Sequence, residues 1–132
     1  MRSQYEEVLI LSAELKTNRH EKNRQLTQNL ELCLSDCNLN FTKAEGFYNG
    51  ASESCFVVVL KEASDIDILK DFAFKSFGQE SILYQDQEGS SSLIYANGDT
   101  KKLGQLKQVN AKLVDTLQNY VIMNGTVYTT EL

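Results

Sequence analysis

Glu53 and Tyr48 are the side chains whose types and spacing suit a small polar ligand. They flank Asn49-Gly50-Ala51-Ser52, a small-residue turn between Gly46-Phe47-Tyr48 and the most apolar run of the chain, Phe56-Val57-Val58-Val59-Leu60. Two paired strands joined by that turn hold a phenol and a carboxylate at one end. The carboxylate can bind a cation or act as a general base. The phenol can donate a hydrogen bond or face a cation. The plainer alternative is an ordinary hairpin with a solvated glutamate, because most charged residues at strand mouths are exposed. A second carboxylate, Glu88, stands beside Gly89 in the polar connection 85–92. It reads either as a solvated loop residue or as a group that meets Glu53 through a folded-back loop or a neighbouring subunit.

Other chemistries find little support. The chain has three cysteines and one histidine. Cys33 and Cys37 lie four apart on one helix face, Cys55 lies in a strand, and an odd count builds no disulfide framework. No ligand pair has the close spacing of a structural zinc site, so no metal is expected. His20 has no nucleophile-elbow partner, and neither GxGxxG nor a P-loop occurs, so no cofactor is expected. A net charge of -5 without a basic run disfavours nucleic acid, and an acidic protein tolerates a cationic ligand more easily. No apolar run approaches the roughly 20 residues of a membrane span. The start, MRSQYEEVLILSAEL, has no uninterrupted apolar stretch of signal-peptide type. A cytoplasmic protein is expected.

With 132 residues, 42% of them hydrophobic, one domain over 1–132 is expected. Val8-Leu9-Ile10-Leu11 reads as a buried central strand closing in Ser12-Ala13. Leu26, Leu30, Cys33, Leu34 and Cys37 mark one face of a helix that Asn38 can end. Residues 39–48 and 56–60 read as the second and third strands. Ser64 reads as the N-cap of a second helix that Gly78 stops. Residues 81–84 and 93–96 read as strands, and 100–117 is ambiguous. Tyr120-Val121-Ile122-Met123, Asn124-Gly125 and Thr126-Val127-Tyr128 carry the signature of a type I′ hairpin. This order predicts an α+β, ferredoxin-like βαββαβ antiparallel sheet, with two helices on one face and an added C-terminal β-hairpin. In that arrangement the end of the first strand, Ser12-Ala13, comes near Glu53. Both faces of the third strand are apolar, so the second face is expected to be covered by the hairpin, by other subunits, or by both.

The strand ending Leu-Ser-Ala, the loop with Arg24 leading the first helix, Gly46-Phe47-Tyr48, Glu53 before an apolar strand, and Leu93-Ile94-Tyr95-Ala96-Asn97-Gly98 follow one another in a set order. From about Val8 to Gly98 the chain resembles the bacteriophage S-adenosylmethionine (SAM) lyases, formerly called SAM hydrolases. The resemblance implies a homotrimer with sites at subunit interfaces, letting Glu88 of one subunit face Glu53 of another. It implies cleavage of SAM to methylthioadenosine and homoserine lactone, a phage anti-restriction activity. Under it, Glu53 would hold the substrate's α-ammonium and Tyr48 would donate a hydrogen bond or face the sulfonium. Glu88 would bind the ribose, and Ser12 and Ala13 would complete the pocket. A non-catalytic SAM or nucleotide sponge of ferredoxin-like trimer type is the competing reading, since fold does not decide function.

Overall fold

The computed structural model describes residues 5–131; residues 1–4 and 132, the ends of the expected single domain, lie outside it. Nine strands form one antiparallel sheet: β1 (Val8–Leu11), β2 (Asn40–Tyr48), β3 (Ala51–Val59), β4 (Ser81–Gln85), β5 (Ser90–Tyr95), β6 (Thr100–Gln105), β7 (Lys107–Val109), β8 (Asn119–Met123) and β9 (Thr126–Thr129). Helix α1 (His20–Asp36) joins β1 to β2. Helix α2 (Ala63–Lys70) follows β3 and continues into a π turn over Asp71–Ser76. No helix among the described residues is long and apolar enough to cross a membrane.

This architecture corrects the ferredoxin-like expectation. The strand order is β6-β5-β4-β1-β3-β2-β8-β9-β7. The two outermost strands, β6 and β7, are consecutive in the chain with only Leu106 between them. A chain that passes from one edge of a sheet to the other through a single residue forces the sheet to curl, and the result is a nearly closed barrel. Gly104 makes the bend possible. Ser91 pairs with Gly104 but Ser92 pairs with Lys102, so Leu103 is an extra residue in β6. Gly104 sits at φ 94, a backbone conformation that a side chain strains. A bulge of this kind sharpens twist and turns a barrel corner. Residues 100–117 thus form the seam of the barrel and, over Ala111–Thr116, a 3-10 turn.

Strand alternation divides the core. Leu9, Leu11, Phe56 and Val58 face outward from the barrel, where Leu30 and Leu34 of α1 and Leu69 of α2 bury them. Each such side chain contributes roughly 1.5–3 kcal/mol on burial. Ile10, Cys55, Val57, Leu83 and Val121 face inward, joined by Leu93, Leu103, Leu106 and Met123. The second apolar face is therefore the barrel interior, and this chain's own β5, β6 and β8 cover it.

Local signals explain the element ends. Asn38 lies in the left-handed region at φ 55, and the Leu39 N–H donates to the Leu34 carbonyl at 3.1 Å, closing α1. Helix α2 begins one residue before Ser64 with Glu62 as its cap. There the Asp65 carboxylate accepts the N–H groups of Lys61 at 3.0 Å and Glu62 at 3.1 Å, the return bond of a capping box, so Glu62 and not Ser64 is the N-cap. Asn49-Gly50 and Asn124-Gly125 both have positive φ at both residues, as type I′ turns require. The first of these turns fixes the β2–β3 register that builds the site.

Candidate active site

A cavity of about 680 Å³ opens at one end of the barrel, where β1 and β2 finish and β3 and β4 begin. Sites for small organic ligands commonly span about 300–1,000 Å³. Ser12, Glu14, Lys16, Tyr48, Glu53 and Cys55 form one wall. Strands β8 and β9 extend this wall beyond β2 with Tyr120 and Thr129, and β6, from the far edge of the sheet, contributes Lys101 and Leu103. The cavity exists because the sheet curls: a flat sheet would leave β6 five strands away from β2.

The register sets the geometry. Gly46 pairs with Glu53 on β3 and with Val121 on β8. Tyr48, two residues on, points to the same face. Its ring folds back over Gly46, so a Cβ placed there would stand 2.8 Å from Tyr48 Cε2 and 3.2 Å from its hydroxyl oxygen. The phenol thereby lies beside the Glu53 carboxylate. On the opposite face of β2, Phe47 and Tyr120 are cross-strand partners whose rings stack at 4.6 Å and 13°.

A hydrogen-bonded frame holds the floor. Ser12 Oγ donates to the Ser54 carbonyl at 2.8 Å and accepts the Glu14 N–H at 3.0 Å. The Glu14 carboxylate accepts the Ser54 N–H at 2.7 Å. Ser12 is buried, and these bonds tie the end of β1 to the start of β3. Its hydroxyl proton is committed to the protein.

Electrostatics follow from half-burial. Desolvation, reinforced by the nearby Glu14 and opposed by Lys16, pushes the Glu53 carboxyl up to about 7. Burial, with Cys55 and Glu53 adding to it, holds the Tyr48 phenol above its ordinary range, so it stays a proton donor. Burial pushes the Cys55 thiol up to about 12, with Glu53, Glu14 and Glu45 contributing, which makes it a poor nucleophile.

The structure brings Glu53, Tyr48 and Ser12 together and separates the other two expected contacts. Ala13 is fully buried in the helix-side core, outside the cavity wall. Glu88 is exposed in the β4–β5 turn, where its N–H donates to Asp86 Oδ1 at 2.9 Å. That turn lies past Gln85, which pairs with Val8 at the opposite end of β1. Within this chain Glu88 therefore cannot reach Glu53. Among the described residues no three His, Cys, Asp or Glu side chains cluster as a metal site would need.

Glu14 and Lys16 did not stand out in the sequence. Their signal was positional: they are the first charged residues after the buried strand end at Ser12-Ala13. Lys101 and Leu103 of β6 had no such signal, because their place in the cavity depends on barrel closure.

A model of the S-adenosylmethionine lyase family matches residues 9–131. The chain belongs to the S-adenosylmethionine lyase family. No curated protein matches it. As a member of this SAM lyase family the protein is an enzyme acting on SAM. The geometry suits that substrate. SAM carries a sulfonium and an α-ammonium, and the cavity presents carboxylates at Glu53 and Glu14. Its α-carboxylate can meet Lys16 in the same wall.

Proposed function

We propose that the protein cleaves SAM to methylthioadenosine and homoserine lactone by intramolecular attack of the substrate's own carboxylate. The observation that carries this reading is the half-buried Glu53 beside the Tyr48 phenol, in the cavity of a SAM lyase-family chain. The Glu53 carboxylate binds the α-ammonium through a charge-assisted hydrogen bond. Lys16 draws the α-carboxylate to the same side. Tyr48 donates its hydroxyl or turns its ring face to the sulfonium.

With the tail folded, a carboxylate oxygen reaches the γ-carbon. The O–Cγ bond forms, the Cγ–S bond breaks, and the electron pair passes to sulfur, which leaves as a neutral thioether. No proton moves in this step, so no general base is needed. Catalysis is positioning plus removal of water from the nucleophile.

A hydrolase is the second reading, and one observation favours it: a carboxyl held near 7 is tuned for general-base activation of water. The proposal extends to a homotrimer in the bacterial cytoplasm, with the exposed Glu88 turn offered to the ribose of a neighbour's substrate. It also extends to phage defence against restriction, since loss of SAM removes the methyl donor. Mass-resolved chromatography after incubation with SAM tests the reaction. Methylthioadenosine and homoserine lactone in equal amounts are expected. SAM that binds but stays intact would mean a sponge and refute the enzyme reading. Light scattering tests the trimer.

A further inference from the structure

Gly46 lies inside β2 with an ordinary strand backbone, so nothing in its φ calls for glycine. Glycine in a strand interior weakens the strand and commonly marks a close approach by another group. Here that group is the Tyr48 ring. Its Cε2, hydroxyl oxygen and Cζ lie 2.8, 3.2 and 3.3 Å from the point a Gly46 Cβ would occupy. Val121 and Glu53 flank Gly46 on the two adjacent strands. The ring fills the slot between them. Among the described residues the Tyr48 hydroxyl has no hydrogen-bond partner, so its proton is free for a ligand.

We propose that Gly46 is a positioning residue for SAM cleavage: its missing side chain is the seat that holds the Tyr48 phenol against Glu53 at the cavity wall. The proposal rests on the reading of Tyr48 and Glu53 as substrate-binding groups and adds the residue that fixes their geometry. A methyl group at position 46 fits the strand backbone but not the ring. The ring must leave its slot, the hydroxyl moves away from its place, and water reaches Glu53. Displacing a positioned group by about 1 Å can cost about 100-fold in rate.

The test uses the full-length protein and the variants Gly46→Ala, Tyr48→Ala and the double variant. Two readouts are taken: kcat/KM with SAM, and titration of the Glu53 carboxyl by ¹³C NMR. Gly46→Ala should lower kcat/KM by about 10- to 100-fold. In the Tyr48→Ala background the same change should cost less than about twofold, because no ring remains to displace. The Glu53 titration should fall from about 7 toward 4.5 in Gly46→Ala and in Tyr48→Ala alike. An unchanged titration in Gly46→Ala overturns the proposal. So does an equal loss of kcat/KM with and without Tyr48, which would make Gly46 merely structural. If the wild-type protein does not turn over SAM, the proposed reaction fails and the titration alone decides the seat. The double variant carries no clash, so it reports on folding independently of the ring.

Discussion

Replacing Glu53 with glutamine should make the protein more stable and less active at the same time. The Glu53 carboxyl rises from its ordinary 4.5 to about 7 in the folded chain, because its charged form is desolvated and faces Glu14. The folded state therefore holds a proton that the unfolded chain has released between these two values. The stabilisation this proton brings is fully present below about 4.5 and is lost as pH rises through about 7. At roughly 1.4 kcal/mol per pH unit the ceiling is about 3 kcal/mol. Glu53 is only half-buried, and solvent screening reduces the effect to about 1–2 kcal/mol. Glutamine keeps the shape and never ionises. E53Q should thus exceed the wild type in unfolding free energy by about 1–2 kcal/mol at pH 8, and the gap should close toward pH 4.5. Its loss of a hydrogen bond to the substrate ammonium, about 1.5–3 kcal/mol, should lower kcat/KM by roughly 10- to 150-fold. Urea unfolding at four pH values and SAM depletion assays measure both. A variant that is less stable at pH 8, or that keeps wild-type turnover, would refute the reasoning.

Other outcomes follow from the same geometry. For the wild type, kcat/KM should rise with pH through about 7 as Glu53 ionises to receive the ammonium, and E53Q should lose that rise. Gly104→Ala should cost about 1–2 kcal/mol in urea unfolding, because φ 94 at the barrel corner strains any side chain. A cost near zero would show that the bulge tolerates a Cβ. Cys55, buried and with its thiol pushed up to about 12, should resist iodoacetamide at pH 8 until the protein unfolds. The exposed Cys37 should react in the native state, and peptide mapping distinguishes the two.

The parts of this structure that were legible in the sequence are those written in local patterns. The 3.6-residue spacing of Leu26, Leu30 and Leu34 marks α1, and Asn124-Gly125 between β-formers marks the β8–β9 hairpin. The Tyr48–Glu53 pair was legible because one tight turn sets their register. The barrel was not. Its seam, Lys101-Lys102-Leu103-Gly104-Gln105, is short, polar and broken by a bulge, so it shows no clean alternation. Pairing of β2 with β8 joins residues some 75 positions apart and has no local signature. The ferredoxin-like reading stopped at the strands with strong apolar runs and missed the strands that close the ring. Ala13 was placed near the site by chain position alone, yet alternation at the end of β1 turns it to the helices. The separation of Glu88 from Glu53 within one chain was legible, because an antiparallel β4 carries its far end away from the end of β1.

The most direct test of the account is to run the reaction in ¹⁸O-labelled water and stop it early. Intramolecular attack predicts unlabelled homoserine lactone beside methylthioadenosine, with label entering only the carboxyl group as the lactone later opens. Label on the γ-hydroxyl of homoserine from the first time point would contradict it and make Glu53 a base for water.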